Sequence, residues 1–322
     1  MTSMRRTRLL LLFVIMVGVG AGGLIFLSYQ ADIRRARAAV EGAKTALTAA
    51  GLIEYAERGD GPPLLSIHGA GGGWDQGLAN IAGLVENEFR IIAPSRFGYL
   101  GTPIPADVSV AAQADAHVAL LSTLDVNKAI VIGVSAGARS AIELALRHPD
   151  KVSALILIVP GTYAPESPVM VEGSRGSSVV LWLVNAGADF AWWATEKIAP
   201  SILIRFLGVT PELLDTASQE EQERVMSVVR SVQPLSLRFA GINIDSTPDL
   251  QRPPLTRVSM PTLIITARDD LFNTLPAAAF AADAIPNAEL VVYDTGGHLL
   301  VGHQEDVREA LGNFLVRIVA HQ

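Results

Sequence analysis

Six short apolar runs that alternate with amphipathic segments constrain the fold of this chain more than any other feature. Each run ends at glycine, proline or a polar residue, which is typical of a buried strand. The predicted strands are Leu64–His68, Arg90–Ala93, Ala129–Gly133, Ala154–Val159, Leu263–Ala267 and Leu290–Tyr293. The predicted helices are Val110–Leu124, Ala136–His148, Ala277–Ala284 and Asp306–Ala320. This alternation predicts an α/β fold with a mostly parallel, doubly wound sheet, in which ligands bind at the carboxyl ends of the strands.

The alternation stops between residues 164 and 254, where the pattern becomes largely helical and ends in the proline-rich Pro248–Pro254. We expect a helical cap or lid here, inserted between two parts of a core at 45–163 and 255–322. Its aromatic residues either line a hydrophobic substrate pocket or pack the cap onto the core. They are Trp182, Trp192, Trp193 and Phe206.

Residues 9–27 form an uncharged apolar run near the N-terminus. At 1.5 Å per residue the run nearly spans a hydrocarbon core of about 30 Å. Residues 1–44 are therefore predicted to be an uncleaved signal anchor with a juxtamembrane linker, and residues 29–50 to be a helix or linker. A cleaved secretory signal and a buried helix are the alternatives. Three arginines flank the run on each side, and the short N-terminal tail favours an N-terminus inside, with the remaining chain outside the cytoplasm.

Gly133-Val134-Ser135-Ala136-Gly137 matches the pattern G-x-S-x-G, with a predicted strand before it and a predicted helix after it. In that setting the pattern is a sharp strand-to-helix turn that lifts the serine hydroxyl above the sheet edge. Glycines are needed on both sides because a Cβ would collide with a neighbouring strand or helix. Ser135 is therefore the candidate nucleophile, and the alternative is a structural glycine-rich turn with an incidental serine.

A serine hydroxyl needs a base to accept its proton. His298 follows the last predicted strand in Thr295-Gly296-Gly297-His298, a glycine-flanked loop that can deliver an imidazole to the turn. His303 is the fallback. The acid that orients the imidazole is predicted in the loop after Leu263–Ala267, where Asp270 is preferred by its spacing and Asp269 is the alternative. The chain order Ser, Asp, His is that of one of the three known arrangements of this triad.

The loop His68-Gly69-Ala70-Gly71-Gly72-Gly73 follows the first predicted strand. Backbone amides of Ala70 and Ala136 are predicted to bind an oxyanion, with Gly71 as the second choice in the loop. A phosphate-binding loop is disfavoured because the Gly-Lys-Ser/Thr ending is missing, and a structural turn is the remaining alternative. His68 is expected to brace this loop.

Composition excludes several other kinds of chemistry. The chain has no cysteine, so disulfides, thiolate metal sites and a cysteine nucleophile are excluded. Its net charge of −7 argues against general nucleic-acid binding, which needs clustered lysine and arginine.

The chain resembles the α/β-hydrolase superfamily, of the HG-x-G type with a cap insertion, over roughly residues 52–163 and 255–322. Residues 93–102 are similar to the family's D-x-x-G-x-G-x-S loop, and Met260-Pro261-Thr262 leads into the acid strand. Ser95 stands where that loop usually has Asp, and Thr102 where it has Ser. Ser135 separates the chain from epoxide hydrolases and haloalkane dehalogenases, which use an aspartate nucleophile.

The residues and the resemblance together imply a serine hydrolase that needs no metal or organic cofactor and acts on a small, hydrophobic ester-like substrate. Lactone opening and C–C bond hydrolysis use the same residues. Acyl transfer and cofactor-free haloperoxidase-type perhydrolysis are alternative reactions. A membrane-tethered, non-catalytic binding protein on a hydrolase scaffold is the alternative outside the enzymes.

Overall fold

The computed structural model describes residues 2–85, 89–165, 188–246 and 251–320. Its contacts divide the chain into two compact units, Met1–Glu41 and Gly42–Gln322. The first unit is a single helix, α1 (Thr2–Ala39). Its segment Met16–Ala39 is long and apolar enough to cross a membrane, judged by length and composition alone. Large apolar side chains are exposed along it, with Leu24 at 71% and Leu27 at 63%.

The prediction of a helix or linker over residues 29–50 is wrong in its second half. Helix α1 ends at Ala39, and Lys44–Thr48 forms the first strand of the sheet. This strand is stabilised by antiparallel pairing with the next strand, in which Thr48 lies opposite Gly51. Because that pairing is a contact with another segment, the alanine-rich local sequence does not reveal it.

Within the described residues, eight strands form one sheet in the order β1-β2-β4-β3-β5-β6-β7-β8. The pairs β1/β2 and β2/β4 are antiparallel and the others are parallel, which confirms the predicted mostly parallel sheet. The strands are β1 (Lys44–Thr48), β2 (Gly51–Arg58), β3 (Pro63–Ile67), β4 (Arg90–Pro94), β5 (Ala129–Val134), β6 (Val152–Ile158), β7 (Thr262–Ala267) and β8 (Ala288–Tyr293).

Helices cover both faces of the sheet. These helices are α2 (Trp74–Ala79), α3 (Val110–Thr123), α4 (Gly137–Arg147), α10 (Leu275–Ala284) and α11 (Gln304–Val319). On one face α3, α4 and α10 contribute to a buried apolar cluster that includes Leu120, Ala141 and Ala278. On the other face α11 packs through Leu311 and Phe314. Each of the ten predicted strands and helices has a counterpart whose bounds differ from the prediction by at most two residues.

Between β6 and β7 the described chain is helical, and we call residues 188–246 the cap segment. Its helices are α5 (Asp189–Ile198), α6 (Pro200–Phe206), α7 (Pro211–Asp215), α8 (Gln219–Ser231) and α9 (Phe239–Ser246). They share an apolar cluster of their own, which contains Trp192, Leu203 and Val229. Trp182 and Pro248 lie outside the described residues.

Candidate active site

Ser135 lies at the turn between β5 and α4 and has a left-handed backbone, with φ of 52°. Its amide donates to the carbonyl of Ile158 on the neighbouring strand, at 2.9 Å. The two glycines of the pattern are needed for close packing. A Cβ on Gly133 would lie 2.6 Å from the Ala141 side chain, and one on Gly137 would lie 2.4 Å from the His68 carbonyl oxygen. The strained conformation therefore follows from the tight contact of α4 with β3 and β5.

The structure brings the predicted nucleophile, base and acid together, although Ser135 and His298 are 163 residues apart in sequence. The hydroxyl oxygen of Ser135 lies 2.8 Å from Nε2 of His298. Nδ1 of the same ring lies 2.8 Å from Oδ2 of Asp270. His298 and Asp270 are 9% and 6% exposed, so solvent competes little for either contact. The tautomer with its proton on Nδ1 donates to Asp270 and accepts from Ser135, which is the arrangement that general-base catalysis requires.

The two candidate acids have different partners. Oδ2 of Asp270 accepts from His298 and from the Thr274 hydroxyl, while its Oδ1 accepts the Phe272 amide at 2.8 Å. Asp269 accepts the amides of Gly296 and Gly297, at 3.2 and 2.7 Å. Asp270 thus contacts the imidazole, whereas Asp269 holds the loop that carries it. Sequence reasoning did not identify Thr274, because its proximity to Asp270 depends on the turn before α10.

The cap segment also holds the histidine loop. The carbonyl of Gly208 accepts the His298 amide at 3.0 Å and the Leu271 amide at 3.2 Å. The Phe272 ring packs edge-on against the imidazole, with centroids 4.6 Å apart. Nothing in the local sequence around Gly208 indicates this contact, since the acceptor is a main-chain carbonyl.

Three other described histidines have side-chain partners other than Ser135. His303, the fallback base, precedes α11 and its Nδ1 lies 2.8 Å from Asp306. His148 ends α4 and contacts Asp115 at 2.7 Å. His117 is buried in α3 and its Nε2 lies 3.1 Å from the Ser140 hydroxyl. His321 lies outside the described residues.

His68 lies under the glycine-rich loop as expected of a bracing residue. Its Nδ1 lies 2.7 Å from the carbonyl oxygen of Gly69, and its Nε2 accepts the Arg96 amide at 2.9 Å. Burial and the charge of Arg96 place the pKa of this imidazole well below its ordinary value, so the ring is neutral. The Gly71 amide is already engaged by the Tyr99 hydroxyl, at 3.4 Å.

The amides of Ala70 and Ala136 donate to no group within the described part of the chain, and both residues line the cavity beside Ser135. Two amides in that position can hold developing negative charge on a substrate oxygen.

Ser95 and Thr102, which both depart from the family loop pattern, share one partner, Glu54 on β2. The Ser95 hydroxyl donates to the Glu54 carboxylate at 2.9 Å and accepts the Trp74 amide at 3.1 Å. The Thr102 hydroxyl accepts the Glu54 amide at 3.0 Å. The loop thus attaches to an antiparallel strand that the sequence analysis did not predict.

A cavity of about 470 Å³ opens beside Ser135. Trp192 and Phe206 of the cap segment line it and also contact each other edge-on, with centroids 5.9 Å apart. Trp192 Nε1 donates to the Val229 carbonyl at 3.0 Å, so this ring both lines the cavity and packs the cap segment. Trp193 is buried beside Phe190 and is not among the lining residues.

A buried charge cluster borders the same cavity and was not expected from the sequence. Asp245 on α9 binds Arg96 through two hydrogen bonds of 2.8 and 2.6 Å and accepts from the Tyr99 hydroxyl at 2.5 Å. Burial raises the pKa of Asp245, but Arg96, Arg139 and Tyr99 more than offset this and leave its pKa below the ordinary value. The cluster joins residues up to 149 positions apart, a separation that no local pattern encodes.

The model of the family described as "alpha/beta hydrolase fold" matches residues 62–302. A 2-hydroxymuconate semialdehyde hydrolase of Pseudomonas putida is 27% identical over 266 residues, which cover 80% of this chain and 89% of that protein. A pimeloyl-[acyl-carrier protein] methyl ester esterase of Nitrosomonas europaea is 27% identical over 255 residues, or 76% of this chain and 92% of that protein. A solved α/β hydrolase fold protein from Nakamurella multipartita is similar with a TM-score of 0.65 and 26% identity, covering 85% of this chain and 99% of that one.

Proposed function

Since this chain belongs to the α/β-hydrolase fold family, we propose that it is a serine hydrolase that cleaves a carboxylic ester or a related carbonyl substrate through an acyl-enzyme. The observation that carries the proposal is the pair of 2.8 Å contacts from His298, one to the Ser135 hydroxyl and one to the Asp270 carboxylate. An ordered chain of that kind activates a hydroxyl that is otherwise a poor nucleophile.

In the proposed reaction, Ser135 Oγ attacks the substrate carbonyl carbon while His298 Nε2 accepts its proton. The tetrahedral oxyanion is held by the amides of Ala70 and Ala136, and we prefer Ala70 to Gly71 because Tyr99 already engages the latter. His298 then gives its proton to the departing alkoxide, which leaves the acyl group on Ser135. Water attacks the carbonyl carbon of this ester while His298 accepts a proton from the water. Collapse of the second oxyanion breaks the bond to Ser135 Oγ, which takes that proton back from His298 as the carboxylic acid leaves.

The relatives leave the cleaved bond open, because one is named for a semialdehyde and another for a methyl ester. Ester cleavage is favoured here by a cavity whose wall beside Ser135 is mainly apolar. The alternative reactions are lactone opening, C–C hydrolysis, acyl transfer and perhydrolysis. Product analysis with a competing alcohol or peroxide tests them.

The test compares hydrolysis of esters, lactones and amides of graded chain length by the wild type and Ser135→Ala. We expect a loss of at least about 10³-fold in kcat for Ser135→Ala, together with loss of labelling by a fluorophosphonate. Ser246→Ala is the matched control, because Ser246 lines the same cavity and donates to the Ile242 carbonyl. Full activity in Ser135→Ala, or absence of fluorophosphonate labelling in the wild type, would show that the protein is not a serine hydrolase and would favour the binding-protein alternative.

We also propose that residues 9–27 form a signal anchor with the N-terminus inside, and that residues 164–254 act as a cap over the active site. The helical character of α1 and its exposed apolar side chains support the first. An alkaline phosphatase fused after Gln322 is expected to be active. Fluorescence from a reporter that works only in the cytoplasm, fused at the same place, would instead indicate the opposite orientation. A mature chain that lacks residues 1–27 would indicate a cleaved signal.

A further inference from the structure

Arg139 lies on the cavity wall, and among the described residues no carboxylate pairs with it alone. Arg139 lies on α4, four residues after Ser135, and lines the same cavity. Its Nε donates to the Gly161 carbonyl at 2.8 Å, and its Nη1 donates to the Asp245 main-chain carbonyl at 3.1 Å. These carbonyls fix the guanidinium in place but carry no full charge. Its Nη2 contacts no acceptor among the residues that the structure describes.

The carboxylate nearest to Arg139 is occupied by another arginine. Asp245 forms a bidentate pair with Arg96 at 2.8 and 2.6 Å, and Tyr99 donates to the same carboxylate. The contact from Arg139 Nη1 to Asp245 Oδ1 is 3.8 Å, which is beyond hydrogen-bonding distance. Burial is the largest effect on the pKa of Arg139 and lowers it, and the counter-effect of Asp245 does not restore it. Asp245 therefore does not neutralise both arginines.

Within the described ranges, no other charged residue of the cavity wall provides a carboxylate for Arg139. Arg224 also lines the cavity, but it forms two 2.9 Å contacts with Glu221 and is paired. Asp270 is held by His298 and Thr274. Among the residues that the structure describes, Arg96 and Arg139 together carry one more positive charge than Asp245 offsets, because His68 accepts the Arg96 amide and is neutral. The Arg139 side chain is 14% exposed and its contact with Asp245 is 3.8 Å, so water and that carboxylate neutralise its charge only in part. An anion that enters the cavity can therefore pair with it.

We infer that Arg139 binds a carboxylate of the substrate, so that the substrate is an ester with a carboxylate elsewhere in the molecule. This rests on the proposed hydrolase function. Gly161, whose carbonyl accepts Arg139 Nε at 2.8 Å, also donates its amide to the Ser135 carbonyl at 3.0 Å. The guanidinium therefore lies close to the turn that carries the nucleophile, and we take the spacer between the reacting carbonyl and the anion to be a few methylene groups. The carboxylate belongs either to the acyl part, as in a monoester of a short dicarboxylic acid, or to the alcohol part.

Two matched pairs of esters test the inference. For the acyl side, ethyl hydrogen glutarate is compared with ethyl 5-methylhexanoate, in which an isopropyl group replaces the carboxylate. For the alcohol side, 4-acetoxybutanoate is compared with 4-methylpentyl acetate. In at least one pair we expect the wild type to favour the anion by about 10- to 100-fold in kcat/KM, because a fixed guanidinium pairs strongly with a carboxylate. Arg139→Met should abolish that preference and leave the neutral ester within about threefold, while Arg139→Lys restores part of it.

Arg224→Met is the control, because Arg224 also lines the cavity but is already paired with Glu221. This variant should keep the preference for the anionic ester. If Arg139→Met lowers kcat/KM equally for both members of each pair, Arg139 acts on structure or on the oxyanion and the inference is wrong. Should Arg139→Met fail to fold, the wild-type preference alone decides, and its absence in both pairs overturns the inference.

Labelling of Ser135 separates this inference from the proposed function. Two fluorophosphonates are used, one with a terminal carboxylate on a three-methylene spacer and one with a terminal isopropyl group. Faster labelling by the anionic probe supports the carboxylate site, and equal labelling by both contradicts it. Labelling by neither probe contradicts the proposed serine hydrolase itself.

Discussion

The carbonyl oxygen of Gly208 accepts the backbone amide of His298 at 3.0 Å. The same oxygen accepts the amide of Leu271, the residue next to Asp270, at 3.2 Å. One main-chain carbonyl of the cap segment thus joins the two loops that carry the proposed acid and base. The cap segment therefore positions the proposed triad as well as lining the cavity.

Gly208→Ala should disturb this contact directly. Gly208 has φ of +79°, and a Cβ there would lie 2.5 Å from the Cβ of His298. A displacement of the imidazole by a few tenths of an ångström to 1 Å is expected to lower kcat by about 10- to 100-fold, measured by steady-state ester hydrolysis. Gly302→Ala is the matched control, because Gly302 has φ of +83° but no atom within 4 Å of the added Cβ. Equal losses in the two variants would assign the effect to backbone strain alone.

Asp270→Asn and Asp269→Asn should separate the two candidate acids. Asp270→Asn removes the charge beside Nδ1 of His298 and favours the wrong tautomer, so kcat should fall on the order of 10³- to 10⁴-fold. Asp269→Asn keeps an oxygen that accepts one of the two loop amides, so we expect a loss of about tenfold or less. Both are measured by single-turnover hydrolysis of an activated ester. A larger loss in Asp269→Asn would transfer the role of acid to Asp269.

The stability of the folded chain should fall between pH 7 and pH 5 because of its buried histidines. Burial lowers the pKa of His117 from 6.5 to about 3, and burial together with Arg96 lowers that of His68. In this window the unfolded chain binds protons that the folded chain does not, so the unfolding free energy decreases as pH falls. Each histidine contributes a slope of up to about 1.4 kcal/mol per pH unit.

His117→Gln tests this by urea unfolding at several pH values. Its slope between pH 7 and pH 5 should be flatter than that of the wild type, whatever its absolute stability. An unchanged slope would show that His117 is not the titrating group. Asp245 also has a lowered pKa, but its contribution to stability changes only below its ordinary pKa of 3.8. It therefore does not affect the slope between pH 7 and pH 5.

Two glycine-to-alanine changes should have opposite effects on stability. Gly137→Ala places a Cβ 2.4 Å from the His68 carbonyl oxygen, so we expect a loss of more than about 2 kcal/mol, or failure to fold. Gly312→Ala lies inside α11 with nothing within 4 Å of the new Cβ. It should stabilise by about 0.5–1 kcal/mol through helix propensity, measured by urea unfolding. Tolerance of Gly137→Ala would contradict the tight packing of α4 on β3.

Much of the core could be predicted because its patterns are local. Strand β5 is an uninterrupted apolar run, and α4 follows it directly, so both could be read from consecutive residues. Strand β1 was missed because its short, half-exposed sequence gives no clear alternation and its stability comes from pairing with β2. Spacing alone favoured Asp270 over Asp269 in the sequence, and the structure adds that the two carboxylates accept from different partners.

The sequence alone determined the six parallel-core strands, the four helices between them and the motifs that follow the strands, because these depend on local periodicity and on turn residues. Tertiary structure alone decided that Gly208 holds the His298 loop, and that Asp245 binds Arg96 closely while its contact with Arg139 is 3.8 Å. The physical reason is that hydrogen bonds to main-chain carbonyls and buried charge pairs act over a few ångströms in space. Partners far apart in sequence therefore leave no periodic signal in either segment.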